Sequence, residues 1–385
     1  MKRVKLIGGL ICLISVILFT DSVIFAAGEA TPESITLKNE QSQFQKAESL
    51  FQEKSFKLAL KEYLEFLSSY PDSKWGETVS YKIGECYENL GDSKNSISAH
   101  RSFVEKYPES KLVVITRLHI AESYRLGKDY DEAISAYKEL IEKHPESEYA
   151  PSSQYWIAEL YLSQGKELAA HREYENLVKN YPMCELAPGA LYKVGEDHNC
   201  LGDYNEAIAS FSTLVQEYPE SNLVGSARRQ IAEVYRNAGE YDQAILAYKE
   251  HIEKHPESEY APCSQYWIAE LYRIRGMKVE AVEAYKEFIR KYPECPMYPE
   301  VQYDIAEIYK AEGESIKAIK AYRKVLSFDP KSDLRDDAQN NIAVLYDRGG
   351  NYKQAIKEYQ NLLKNFPNSQ FRDSASRRLE DLLAR

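Results

Sequence analysis

IEKHPESEYAPSSQYWIAELY, residues 141–161, returns as IEKHPESEYAPCSQYWIAELY at residues 252–272, with Ser152 exchanged for Cys263. The two copies stand 111 positions apart. A reacting centre gains nothing from such copying, whereas an interaction surface is extended by it. The proline inside the stretch, Pro145, accounts for the distance. Steps of 37 in both directions land on Pro71, Pro108, Pro145, Pro182, Pro219, Pro256, Pro293, Pro330 and Pro367, so 111 residues are three periods. A fixed period of this length marks stacked supersecondary units, each too small to bury its own apolar face.

Columns counted from each proline show what the unit is. Position 12 is Ile83, Ile120, Ile157, Val194, Ile231, Ile268, Ile305 and Ile342; position 13 is Gly84, Ala121, Ala158, Gly195, Ala232, Ala269, Ala306 and Ala343. Position 16 is tyrosine in the same eight units except at His198. That spacing is one face of a helix. Glycine at position 20 stops it, with Gly127 one residue early in its unit. A second helix follows, with a small residue at position 25, such as Ala170, and an aromatic or His at position 29, such as Tyr174. Proline then ends that helix. An earlier copy lacks the proline but keeps Ala47, Glu48, Ala59 and Tyr63 in register.

The expected organisation is a signal segment at 1–27, a short linker at 28–36, helix pairs over 37–366 and a polar capping helix at 368–385. Lys2, Arg3 and Lys5 precede an apolar run from Leu6 to Phe19, with small residues at Ala26, Ala27 and Gly28. This reads as a secretory signal, shorter than the roughly 20 residues of a membrane span; an uncleaved anchor is the alternative. Leu10 and Ile11 before Cys12 are bulky where a lipid-attachment site has small residues. Five further cysteines follow no disulfide spacing. The net charge of −11, without a basic stripe, argues against nucleic acid and anionic membrane as partners.

The unit resembles the tetratricopeptide repeat, whose small residues, tyrosines and terminal proline match the columns above. The departure is three extra residues after the proline, as in Pro256-Glu257-Ser258-Glu259-Tyr260. The longer form is similar to bacterial envelope proteins such as the helical subunit of the outer-membrane β-barrel assembly machine and the periplasmic partner of the Tol-Pal cell-division system. The resemblance implies an all-α, right-handed superhelical solenoid of about nine helix pairs with a C-terminal capping helix. It also implies a non-catalytic, exported scaffold in the periplasm or envelope of a Gram-negative-type bacterium. A self-assembling array is the alternative reading, and an envelope enzyme or polysaccharide-handling protein a more distant one.

No phosphate-binding, zinc-protease or serine-hydrolase motif is present, so no cofactor, metal or catalytic residue is expected. His251 and His255 lie four apart on one helix, but His255 fills the slot before the proline and a third ligand is not evident; His100 and His198 fill tyrosine slots and read as packing residues. The notable column is position 14: Glu85, Glu122, Glu159, Glu196, Glu233, Glu270 and Glu307, with Glu48 one unit earlier and Val344 breaking the run. Tyr81, Tyr155, Tyr192, Tyr266 and Tyr303 lie one turn before, beside Trp156 and Trp267. By the resemblance, this row faces the groove and takes an extended peptide, basic or amphipathic in character. The competing reading is that each glutamate serves the scaffold through helical pairs such as Glu122–Arg125 and Glu270–Arg273.

Overall fold

A computed structural model describes residues 32–328 and 333–384. The signal segment and the Pro330 turn lie outside the described residues. Among the described residues there are nineteen helices and no strand, so the fold is all-α. The chain divides into two compact units, one ending at Asp129 and the other beginning at Tyr130.

The first unit holds α1 (Pro32–Gln52), α2 (Phe56–Ser69), α3 (Gly76–Asn89), α4 (Ser93–Lys106) and α5 (Val113–Gly127). Helix α1 begins ahead of residue 37, within the stretch assigned to a linker; proline is favoured in a helical first turn. The second unit holds α6 (Tyr130–Lys143), α7 (Ala150–Ser163), α8 (Glu167–Asn180), α9 (Ala187–Leu201), α10 (Tyr204–Glu217), α11 (Val224–Asn237) and α12 (Tyr241–Lys254). It continues with α13 (Ala261–Ile274), α14 (Lys278–Lys291), α15 (Tyr298–Ala311), α16 (Ser315–Phe328), α17 (Arg335–Arg348), α18 (Tyr352–Asn365) and α19 (Arg372–Leu383). Within each unit, helices pack on their sequence neighbours.

Packing follows the columns. Ala158, Ala232, Ala269, Ala306 and Ala343 are fully buried against the equally buried Ala170, Ala244, Ala281, Ala318 and Ala355 of the second helices. Small residues let the two backbones approach, and Tyr174, Tyr248, Tyr285 and Tyr322 fill the space beside them with almost no exposed surface. The extra residues after six of the prolines have a local purpose, while Cys184 and Cys295 stand in the serine slot after Pro182 and Pro293. Ser73, Ser110, Ser147, Ser221, Ser258 and Ser369 each accept a hydrogen bond from the backbone N–H two residues on, at 3.0–3.2 Å. This hydroxyl turn sets the entry to the next first helix. The turn inside each pair needs a left-handed residue, which glycine supplies at Gly91, Gly165, Gly202, Gly239, Gly276, Gly313 and Gly350. Where the glycine is displaced to Gly127, Lys128 takes that conformation itself, with φ 66°, and Lys54 does so in the first pair, with φ 60°.

Candidate functional site

The glutamate column lies on the first helix of the pairs up to α15, next to the small residue at which the second helix approaches, and α17 carries Val344 there. Its carboxylates meet the tyrosines fifteen residues later. Tyr63 donates its hydroxyl to Glu48 at 2.5 Å. Tyr174 donates to Glu159, Tyr285 to Glu270 and Tyr322 to Glu307. Burial first, then the bond to the carboxylate, pushes the Tyr174 and Tyr322 hydroxyls well above the usual phenol range, which keeps them donors.

Two pairs lack the hydroxyl and compensate in the same way. His100 and Phe211 occupy the tyrosine position, and the facing small residue is then glycine. A Cβ on Gly84 would lie 2.3 Å from the His100 ring, and one on Gly195 would lie 2.8 Å from Phe211. The glutamate, deprived of its donor, takes a lysine three residues before it: Lys82 to Glu85 at 2.7 Å and Lys193 to Glu196 at 2.9 Å. Tyr248 is the exception. Arg229 draws Glu233 away, and the Tyr248 hydroxyl is buried with no hydrogen-bond partner.

A second set of bonds runs from one pair to the next. Tyr81 meets His119 at 3.0 Å, Gln230 donates to Tyr192 at 3.1 Å, Tyr266 donates to Asp304 at 3.2 Å and Asn341 donates to Tyr303 at 3.1 Å. Each joins the position-10 tyrosine to position 11 of the following pair. Tyr155 and Trp156 pack edge to face with centroids 6.1 Å apart, and Tyr266 and Trp267 do so at 6.0 Å. Arg236 lies over the Trp267 face, 3.9 Å from its centroid.

In the first unit Tyr81 and Glu85 both lie on α3 but bond elsewhere, Tyr81 to His119 and Glu85 to Lys82, and Arg125 holds Glu122. In the second the structure aligns Tyr155, Trp156, Glu159, Tyr192, Glu196, Glu233, Tyr266, Trp267, Glu270, Tyr303 and Glu307 along successive first helices. Glu270 is buried; the others are half-buried. Chain cations already neutralise most of the carboxylates: Arg273 binds Glu270 at 2.5 Å and Lys310 binds Glu307 at 2.6 Å, while Arg229 pairs with Glu233. Glu159 forms no ion pair among the described residues. Asp304, beside Tyr266, was not among the sequence candidates. Burial and the neighbouring Glu270 push its carboxyl up to about 6.

All five cysteines outside the signal segment are free. His251 bonds Ser264 at 2.9 Å within the core, and burial first, then His255, pushes its imidazole down to about 4.

Residues 185–385 match the family described as YfiO, outer membrane lipoprotein, and residues 78–110 and 116–147 match the tetratricopeptide repeat. No curated protein matches the chain. Solved structures similar to it include the C-terminal part of a tetratricopeptide-repeat protein from Cytophaga hutchinsonii, 15% identical, covering 67% of this chain and 98% of that one at a TM-score of 0.48. A tetratricopeptide-repeat protein from Parabacteroides merdae is 17% identical, covering 70% of this chain and 98% of its own at 0.37. Yeast Tom70 is 13% identical, covering 90% of this chain and 96% of its own at 0.35.

Proposed function

We propose that this chain, which belongs to the YfiO outer membrane lipoprotein family, is a non-catalytic scaffold of the cell envelope that binds a protein or extended peptide along its first helices. The observation that carries the reading is the aromatic and acidic row itself, repeated from pair to pair and half open to solvent. The family match over residues 185–385 supports the envelope setting, as does the basic, apolar, small-residue order of the first 28 residues.

The internal bonds narrow what the row can recognise. Most of its carboxylates are matched by the chain's own Lys and Arg, so the surface is less acidic than its sequence. The stretch Tyr155, Trp156 and Glu159 sets two aromatic rings near a carboxylate that forms no ion pair among the described residues. That combination suits a partner segment carrying one cation next to an apolar side chain, and affinity there rests on ring contact more than on long-range attraction.

A photo-crosslinking residue at Trp156 or Tyr155, expressed in cells, tests the proposal. A specific adduct with a different protein, absent when the probe is at Lys286 on α14, is the expected outcome. Adducts only between copies of this chain would favour a self-assembling array. An intact N-terminus in the cytosolic fraction would overturn the envelope setting.

A further inference from the structure

The junction between α8 and α9 breaks the repeat at four positions that meet in space. Position 26 is aliphatic in the other pairs, as in Ile134, Ile208, Ile245 and Ile319, but is His171 here. Position 30 is Arg101, Lys138, Lys249, Lys286 or Arg323 in five pairs, but is Glu175 here. Position 16 is tyrosine in the seven other units that have both helices after the proline, but is His198 here, and the apolar or small position 15 carries the acid Asp197. Elsewhere these columns build a cation-on-ring contact: Lys138 lies 5.3 Å from the centroid of Tyr161 and Lys249 lies 5.6 Å from that of Tyr272. At this junction the chain's own cation has been replaced by an acid, and the ring by an imidazole.

The four residues are arranged as a ligand set. The His171 and His198 rings are perpendicular with centroids 4.7 Å apart. His171 Nε2 is 3.6 Å from Glu175 Oε1, and one donor atom from each of His171, Glu175 and His198 lies within 4.8 Å of the others. Asp197 Oδ2 lies 3.2 Å from His171 Nδ1, so it holds the proton there and leaves the Nε2 lone pair facing the cluster. His198 Nδ1 is buried without a hydrogen-bond partner, and Asp203 Oδ2 stands 3.8 Å from it. Two donors each about 2.1 Å from a tetrahedral zinc ion stand about 3.4 Å apart, so the His171–Glu175 spacing needs little adjustment. Two imidazoles and one carboxylate favour zinc, cobalt or nickel over calcium or magnesium.

We propose that His171, Glu175 and His198 bind one divalent transition ion, with Asp197 as a positioning residue and solvent completing the coordination beside the exposed Glu175. The ion clamps α8 to α9 where other junctions use lysine on tyrosine. His198, which reads from its column as a packing residue, is then a ligand. The proposal holds whatever partner the scaffold binds. A second His–Glu group, Glu88, His100 and His119, is less suited, because both His119 nitrogens already bond Tyr81 and Glu88.

The experiment titrates Zn²⁺ into the full chain after chelation, by calorimetry, and Co²⁺ by visible absorption. Wild type should bind one equivalent at this site and melt at a higher temperature in Zn²⁺ than in EDTA. The pair His171→Ile with His198→Tyr installs the residues used at the other junctions, so folding is retained and that equivalent should vanish. Asp197→Asn should weaken binding about 10–100-fold, while His100→Phe should leave it unchanged. No binding by folded wild type would overturn the proposal. So would unchanged binding in the double variant, or a Co²⁺ thiolate charge-transfer band assigning the ion to a cysteine.

Discussion

The Tyr285 hydroxyl donates to the Glu270 carboxylate across the α13–α14 pair, while Arg273 holds the same carboxylate from its own helix. At this pair the glutamate therefore braces the two helices, as Glu48, Glu159 and Glu307 do at theirs.

Removing the hydroxyl should show this. Tyr285→Phe and Tyr322→Phe are each expected to destabilise the second unit by about 1.5–3 kcal/mol, the worth of a hydrogen bond to a charged group. Tyr248→Phe is the control within the same chain. Its hydroxyl is buried without a partner, so the change should be neutral or stabilising. Denaturant unfolding of the three variants checks the contrast, and equal costs would refute the brace.

Lys128 occupies a left-handed conformation that seven other pairs assign to glycine. Lys128→Gly is expected to stabilise the first unit by about 0.5–1 kcal/mol, the αL strain relieved less the entropy glycine adds to the unfolded chain. Chemical denaturation measures it; a destabilised variant would mean that Lys128 contributes contacts outweighing its strain.

Asp304 has a carboxyl pushed up to about 6 from 3.8. The folded chain thus holds this proton more tightly than the unfolded one, and the contribution to stability is present at low pH and lost as pH rises from about 4 to about 6. Asp304→Asn should therefore gain stability over wild type above pH 6, by about 3 kcal/mol, with the difference shrinking below pH 4. Melting curves of both proteins across that range check it; a difference independent of pH would contradict it.

Helix α19 covers the end of the stack with Ala375 and Leu382, and Arg378 grips Asp347 of α17 at 2.6 and 2.8 Å. Deleting residues 368–385 should expose Ala355, Tyr359 and Leu362, producing aggregation or loss of hydrogen-exchange protection in α18. A soluble truncation with α18 fully protected would show that the cap is dispensable.

The period, the turn glycines and the buried columns were readable in the sequence because each is a local regularity imposed by helix geometry. The purpose of the glutamates was not, and two readings stood side by side. Positions 14 and 29 are brought together only when the two helices pair, and no spacing rule along one helix shows that. A signal was nonetheless present. Lys82 and Lys193 appear at position 11 in the two pairs whose position 29 lacks a hydroxyl, and Gly84 and Gly195 mark the same two pairs. The His171 junction was missed for a related reason. His198 was compared with its own column alone, while His171, Glu175 and Asp197 depart from three different columns that meet only once α8 lies against α9.

The near-identity of residues 141–161 and 252–272 also bears on how this protein can change length. Joining Ile141 directly to Glu253 would remove 111 residues and leave the period unbroken. Helix α6 would then face α13 in place of its near-twin α7, so no helix would meet an unfamiliar neighbour. Recombination between the two stretches can drop or add three units in one event without creating a new interface. Such a shortened descendant would keep the brace, the turns and the cap, and would lose the histidine cluster altogether. Reach and any metal response are thus inheritable separately from the fold.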